Sequence, residues 1–122
     1  MEENGQKKIL IVDDDSVVLR TIKDGLAGKY KVFGANSGAN AMKVLGRMPV
    51  DLILLDYEMP EMNGPQVLQA LRADPDTAPI PVMFLTGLQE EAMQTGGLDA
   101  AGCLQKSMPL AEIVRIIDGF FA

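Results

Sequence analysis

The chain alternates short apolar runs with segments in which apolar residues recur every three or four positions. The runs predict β-strands at 7–12, 30–35, 51–55, 81–86 and 101–106. The periodic segments predict amphipathic helices from 16 up to the glycine at 28, at 39–48, after the turn-rich loop 57–64, at 89–95 and at 110–121. The first and third runs are the most apolar and both end in aspartate, which is typical of strands covered on both faces of a sheet.

Five strands that alternate with five helices over short connections favour a doubly wound parallel sheet of the α/β class. A parallel pair of strands needs a crossover connection, and right-handed crossovers place helices against the faces of the sheet. In such sheets, ligands bind beyond the carboxyl ends of the strands. That edge is therefore the expected place for a binding site.

The length of the chain fits a single domain. With 122 residues it can form one core of ordinary depth, but not two. We expect residues 1–6 to form a disordered tail and residues 7–122 to form the domain. The sequence has no apolar run long enough to span a membrane and no signal peptide, so we expect a cytoplasmic location and no membrane partner.

Charge and residue types exclude several classes of function. The chain has 17 acidic and 11 basic residues, and its formal charge of −6 opposes direct binding to nucleic acid. It has no histidine, which excludes Ser-His-Asp catalysis and a histidine-ligated zinc site. Its one cysteine, Cys103, has no partner for an internal disulfide. Carboxylates, hydroxyls and lysines are left to carry any chemistry.

Polar residues stand at the predicted carboxyl ends of four strands. They are Asp13 and Asp14 after the first strand, Asp56 after the third, Thr86 at the end of the fourth and Lys106 at the end of the fifth. Carboxylates at the ends of neighbouring strands repel each other unless they are protonated or bridged by a cation, and Mg²⁺ prefers such oxygen ligands. The cation, the ammonium and the hydroxyl together suit a phosphoryl group.

Aspartate is a known nucleophile for phosphoryl groups, which it holds as an aspartyl phosphate. Asp56 is the strongest candidate because it stands alone on the predicted central strand. Asp13 and Asp14 are adjacent, as suits a pair that holds a metal. Each residue taken singly has an ordinary structural interpretation as a helix cap, a turn residue or a strand end, and the functional interpretation depends on their combination.

Four motifs carry a resemblance to a known family. They are Val12-Asp13-Asp14-Asp15, Asp56-Tyr57-Glu58-Met59-Pro60-Glu61-Met62-Asn63-Gly64, Leu85-Thr86-Gly87 and Lys106. In this order and spacing, they resemble the receiver domain of bacterial two-component response regulators over nearly the whole chain. The resemblance implies a flavodoxin-like receiver fold with the strand order 2-1-3-4-5.

The resemblance also implies a role for each site residue. Asp56 is the phospho-acceptor, and Thr86 and Lys106 hold the phosphoryl oxygens. Asp13, Asp14 and Asp56 bind Mg²⁺, with help from the backbone carbonyl of Glu58. The phosphoryl group comes from a phosphohistidine on a sensor histidine kinase or a histidine phosphotransfer protein. Phosphorylation then acts on a downstream protein or an effector domain, so the chain is a regulatory domain rather than an enzyme.

Two positions depart from the family pattern. Cys103 stands three residues before Lys106, where most relatives have an aromatic residue whose rotamer reports phosphorylation. Ser107 follows Lys106 where relatives commonly have a proline after a cis peptide bond, and a cis bond before a residue other than proline costs roughly 3 kcal/mol. The form of the output is therefore open, and one alternative is a receiver-like docking module that works without phosphorylation.

Two further classes fit less well. A phosphatase of the haloacid-dehalogenase kind also uses an aspartyl nucleophile, but it requires a second acid two residues later, which Glu58 supplies only loosely. A flavodoxin-like cofactor binder needs a phosphate-binding loop after the first strand, where this chain has three acids.

Overall fold

A computed structural model describes residues 6–87 and 100–122. Its strands are β1 Lys8–Val12, β2 Lys31–Ala35, β3 Leu52–Asp56, β4 Val82–Thr86 and β5 Gly102–Gln105. Its helices are α1 Ser16–Leu26, α2 Gly38–Leu45, α3 Gly64–Ala73 and α4 Leu110–Phe121. Every predicted strand is confirmed to within one residue at either end. The predicted helix 89–95 lies outside the described residues, and so do residues 1–5 of the predicted tail.

The five strands form one parallel sheet in the order β2-β1-β3-β4-β5, which confirms the predicted topology. The register aligns Val12 with Leu55 and Asp56 with Leu85, while Thr86 lies opposite Gln105. The carboxyl ends of β1, β3, β4 and β5 therefore meet at one edge. The polar residues that end these strands in the sequence are brought to that edge by the register alone.

Two hydrophobic clusters cover the two faces of the sheet. In β1, Leu10 and Val12 face a cluster that includes residues of α2 and α3, while Ile9 and Ile11 face a cluster that includes residues of α1 and α4. Alternate side chains of a strand point to opposite faces, so burial on both faces requires an apolar residue at every position. This arrangement explains the uniformly apolar run of β1.

Local backbone and side-chain interactions mark the ends of the helices. α1 begins at Ser16 because the Asp15 carboxylate accepts hydrogen bonds from the amides of Val17, at 2.9 Å, and Val18, at 3.4 Å. α2 ends at Leu45 and not at Met48 as predicted, although Gly46 keeps helical backbone angles and the Met48 amide donates to the Val44 carbonyl at 3.2 Å. In the described part of the chain, no helix is both long and apolar enough to cross a membrane.

Candidate functional site

Four of the predicted site residues meet at the carboxyl edge of the sheet: Asp13, Asp56, Thr86 and Lys106. Backbone hydrogen bonds between neighbouring strands fix their positions: the Lys106 amide donates to the Thr86 carbonyl at 2.8 Å, and the Asp13 amide donates to the Ala35 carbonyl at 3.1 Å. Asp56 is the last residue of β3 and pairs in register with β4. The site is therefore built on strand ends and not on a long loop.

Lys106 joins the two buried carboxylates. Its Nζ atom lies 2.9 Å from Asp13 Oδ2 and 3.0 Å from Asp56 Oδ1. Asp13 is fully buried and Asp56 is 3% exposed, whereas the Lys106 side chain is one quarter exposed. A single ammonium thus faces two carboxylates, and Asp14 adds a third, solvent-exposed carboxylate beside them. The site holds more negative charge than its own lysine can balance.

The two oxygens of Asp13 have different surroundings. Oδ1 accepts a hydrogen bond of 2.9 Å from the backbone amide of Asp15. Oδ2 is buried and makes no hydrogen bond of acceptable geometry, although the Lys106 ammonium is close enough for an ion pair. The Lys106 ammonium offsets part of the cost of burying this charged oxygen, and a bound cation would offset more of it.

The environment of Asp56 favours its protonated form. Burial raises the pKa of Asp56 to about 7, and the nearby charge of Asp13 adds to the increase, while the contact with Lys106 opposes it. Burial acts to lower the pKa of Lys106, but its close contacts with the two aspartates and their negative charge outweigh burial, so the pKa is raised. The lysine is therefore a permanent positive charge, whereas Asp56 needs more positive charge to be fully ionised at neutral pH.

The carboxylates fit a hard divalent cation. One oxygen each from Asp13, Asp14 and Asp56 lies within 4.8 Å of the others. An all-oxygen set with several negative charges is the donor chemistry that Mg²⁺ prefers. The backbone of Glu58 is also adjacent, since its amide lies 3.4 Å from Asp56 Oδ1. The residues present therefore fit the predicted metal.

The other positions that the sequence singled out belong to β4, β5 and the segments that follow these strands. Thr86 is fully buried at the end of β4, and a side-chain carbon added at Gly87 would meet no atom of the described residues within 4 Å. Cys103 is partly buried and lies opposite Phe84 in the sheet. The peptide bond between Lys106 and Ser107 is trans, as are all those of the described residues.

Sequence reasoning missed the role of Gly64 in positioning Asp56. A Cβ atom at Gly64 would lie 2.5 Å from the Asp56 carbonyl oxygen and 2.9 Å from both the Phe84 ring and the Tyr57 Cα. Only glycine permits α3 to begin so close to the end of β3. The Asn63-Gly64 pair predicted a turn, but no sequence signal indicated this contact between the turn and the strand.

Comparisons with known proteins identify the family of this chain. The family model described as response regulator receiver domain matches residues 9–118. The protein named probable chemotaxis protein CheY of Rhizobium etli is 30% identical over 118 residues, which are 93% of this chain and 92% of that protein. The crystallised chemotaxis protein CheY4 of Vibrio cholerae superposes with a TM-score of 0.84 at 25% identity, over 94% of this chain and 98% of that one.

Other relatives are much longer than this chain. The protein named probable cyclic di-GMP phosphodiesterase of Vibrio cholerae serotype O1 is 45% identical over 87 residues, which are 71% of this chain but 20% of that protein. The transcriptional regulatory protein CrdR of Helicobacter pylori is 34% identical over 119 residues, which are 95% of this chain and 55% of CrdR. The aligned region is therefore a part of these larger proteins. The chain belongs to the response regulator receiver domain family, the regulatory domains of two-component signalling.

Proposed function

We propose that this chain is the phospho-accepting receiver of a two-component phosphorelay. Asp56 takes a phosphoryl group from a phosphohistidine on a cytoplasmic partner, which is a sensor histidine kinase or a histidine phosphotransfer protein. Phosphorylation then changes the contacts of the chain with a downstream protein or with an effector domain outside these 122 residues. The chain assists its own phosphorylation and dephosphorylation without being an enzyme for other substrates.

One observation carries the proposal. A single buried cluster contains a lysine in contact with two aspartates, and one of those aspartates has an oxygen without a hydrogen bond. A purely structural ion pair would balance its charges and satisfy its oxygens. The excess carboxylate charge at this site instead suits a cation, and Lys106 supplies the second positive charge that a phosphoryl group needs.

The transfer can be written from the atoms of the site. Lys106 and the Glu58 amide both contact Asp56 Oδ1, which leaves Oδ2 as the attacking oxygen. As the oxygen–phosphorus bond forms, the phosphorus–nitrogen bond of the phosphohistidine breaks. The electron pair of that bond stays on the imidazole, and the product on Asp56 is an acyl phosphate.

Each neighbouring residue has a task in this transfer. Asp13, Asp14 and the Glu58 carbonyl, together with Asp56, would hold Mg²⁺, which when bound neutralises the charge of the phosphoryl oxygens. The Lys106 ammonium would shift from the carboxylate of Asp56 to a phosphoryl oxygen. Thr86 would donate its hydroxyl hydrogen to another phosphoryl oxygen, and the open space at Gly87 would admit the group.

The test is the intact mass of the protein after incubation with acetyl phosphate and Mg²⁺. We expect one phosphoryl adduct in the wild type and none in Asp56→Asn, because asparagine lacks the nucleophilic carboxylate. Asp76→Asn is a matched control, since Asp76 is an exposed aspartate remote in sequence from the site motifs. This control should label like the wild type, and removal of Mg²⁺ should prevent labelling of both.

Two results would contradict the proposal. An adduct that persists in Asp56→Asn would place the acceptor elsewhere. A wild-type chain that neither labels nor gains stability from Mg²⁺ would instead support the docking module that works without phosphorylation.

A further inference from the structure

A groove of about 710 Å³ lies along the outer edge of the sheet that β2 forms. Its charge is opposite to that of the acidic site. Its walls are α1 and α2, which pack on opposite faces of the sheet, and its floor includes Gly34 and Ala35 of the edge strand β2. We refer to it as the β2-edge groove. In a chain with a formal charge of −6, this groove is lined mainly by positive charge.

Four cations line the β2-edge groove. Arg20 and Lys23 come from α1, while Lys43 belongs to α2 and Arg47 follows that helix. Asp24 is the one carboxylate among the lining residues. None of the four cations forms an ion pair with a described carboxylate, although all four side chains are exposed.

The spacing of these cations is unfavourable for the isolated helices. Arg20 and Lys23 are three positions apart and Lys43 and Arg47 are four apart, so each pair of like charges shares one side of its segment. Like charges at these spacings repel each other. An anion bound between the two walls would remove this repulsion and would contact cations from both sides.

At the floor of the groove, backbone groups of β2 point away from the sheet and make no hydrogen bond to another described strand. The Lys31 amide donates to the Lys7 carbonyl at 2.9 Å, and the Ala35 carbonyl accepts from the Asp13 amide at 3.1 Å, so residues 31 and 35 face β1. Alternation along a parallel strand then turns the amide and carbonyl of Gly34 towards the free edge. No described strand covers that edge, and Gly34 has no side chain to shield it. An extended peptide could pair there as an additional strand.

We propose that the β2-edge groove binds an extended acidic peptide segment of a partner protein. Glutamate and aspartate side chains on both faces of the added strand would meet the cations of both walls, and arginine suits carboxylates because it offers paired donors. Leu19 and Val44 give each wall an apolar contact as well. The lining residues include no aromatic ring on which a nucleotide base could stack, which favours a peptide over a nucleotide. The proposal is independent of the phosphorylation of Asp56.

The test measures binding of a short capped peptide of repeating Glu-Glu-Val units by fluorescence anisotropy. We expect saturable binding that weakens with added salt and that is absent for the matching Gln-Gln-Val peptide. The double variant Arg20→Gln/Lys43→Gln removes one cation from each wall and should weaken binding at least about fivefold, as expected for the loss of two exposed ion pairs. The double variant Lys7→Gln/Arg115→Gln loses the same charge outside the groove and should change binding less than about twofold.

A second readout separates strand addition from simple charge attraction. Hydrogen exchange of the Gly34 amide, followed by NMR, should slow when the peptide is bound, because the added strand accepts a hydrogen bond from it. Inorganic tripolyphosphate is the comparison ligand and should leave this amide unprotected. The proposal is wrong if the peptide does not bind, if both double variants weaken binding equally, or if the peptide binds without protecting the Gly34 amide.

Discussion

Two charged clusters of this chain have nearly the same ion-pair distances and opposite surroundings. In the site, Lys106 lies 2.9 Å from Asp13 and 3.0 Å from Asp56, and both aspartates are buried. At the amino end of β2, Lys29 lies 2.8 Å from Asp118, with side chains that are 58% and 39% exposed. We refer to the second cluster, which also contains Tyr30, as the Asp118 clasp.

The two clusters differ in how charge and hydrogen bonds are matched. In the Asp118 clasp, one carboxylate receives Lys29 on Oδ2 and the Tyr30 hydroxyl on Oδ1, so both of its oxygens have a donor. In the site, two buried carboxylates share one lysine, and one oxygen has no hydrogen bond. Distance alone therefore does not distinguish the two clusters, whereas burial together with an unmatched charge does.

We expect the two clusters to differ most when the lysine of each is removed. Lys106→Met leaves two buried carboxylates without their cation, and we expect the free energy of unfolding to fall by about 2–3 kcal/mol at pH 8 without Mg²⁺. This is below the range for a fully buried pair because Lys106 is one quarter exposed. Lys29→Met removes an exposed partner and should change stability little. Urea denaturation of both variants measures the difference, and equal losses would contradict the account.

A second substitution tests the close packing behind Asp56. Gly64→Ala forces a methyl group against the backbone of β3 and the Phe84 ring, so we expect a loss of about 1–3 kcal/mol in the free energy of unfolding. Gly87→Ala, at the other side of the site, is the control because its added carbon meets nothing within 4 Å. Thermal denaturation should separate the two, and a tolerated Gly64→Ala would show that β3 and α3 need not approach so closely.

Magnesium should stabilise the site and leave the Asp118 clasp unchanged. At about ten times its dissociation constant, Mg²⁺ is expected to add about 1.4 kcal/mol to the free energy of unfolding of the wild type. Asp13→Asn should lose most of this gain, since it removes a buried carboxylate from the cation site. Asp118→Asn should keep it. A thermal shift with Mg²⁺ that is as large in Asp13→Asn as in the wild type would contradict the metal assignment.

The smallest expected effect concerns the pH dependence of the clasp. Burial raises the pKa of Tyr30 to about 12, with further contributions from its hydrogen bond to Asp118 and from that carboxylate's charge. A raised pKa means that the contribution to stability is complete below the ordinary tyrosine pKa of about 10 and is lost as the pH rises through about 12. Stability of the wild type should therefore decline relative to Tyr30→Phe between these pH values. Urea denaturation of both proteins at pH 9 and pH 11 measures this decline. An equal change in the free energy of unfolding of the two proteins between these pH values would contradict the prediction.

The three central strands, β1, β3 and β4, were predictable because they are covered on both faces of the sheet. The apolar run of β3 needed no partner to be recognised, and its predicted limits were off by one residue at each end. At its start, the Asp51 carboxylate accepts a hydrogen bond from the Lys8 amide at 2.8 Å, so this residue precedes the strand. At its end, Asp56 pairs with Leu85 and belongs to the strand. Such long-range pairing leaves no signal in the local pattern.

The membership of the site and its excess of carboxylate charge were predictable, but the burial of each individual carboxylate was not. Their positions at strand ends and the family motifs predict that Asp13, Asp56 and Lys106 lie together. The sequence does not distinguish Asp13 from Asp14, yet the first is fully buried and the second is exposed. That difference arises because the chain turns from β1 into α1 at this point, which directs one side chain inward and the next one to solvent.

The most direct test of the account locates the phosphoryl group among the carboxylates of the site. The wild type is labelled with acetyl phosphate and Mg²⁺, the acyl phosphate is trapped with hydroxylamine as a stable hydroxamate, and peptide mapping by mass spectrometry finds the modified residue. The account predicts a hydroxamate on Asp56 alone. A hydroxamate on Asp13 or Asp14, with Asp56 unmodified, would contradict it.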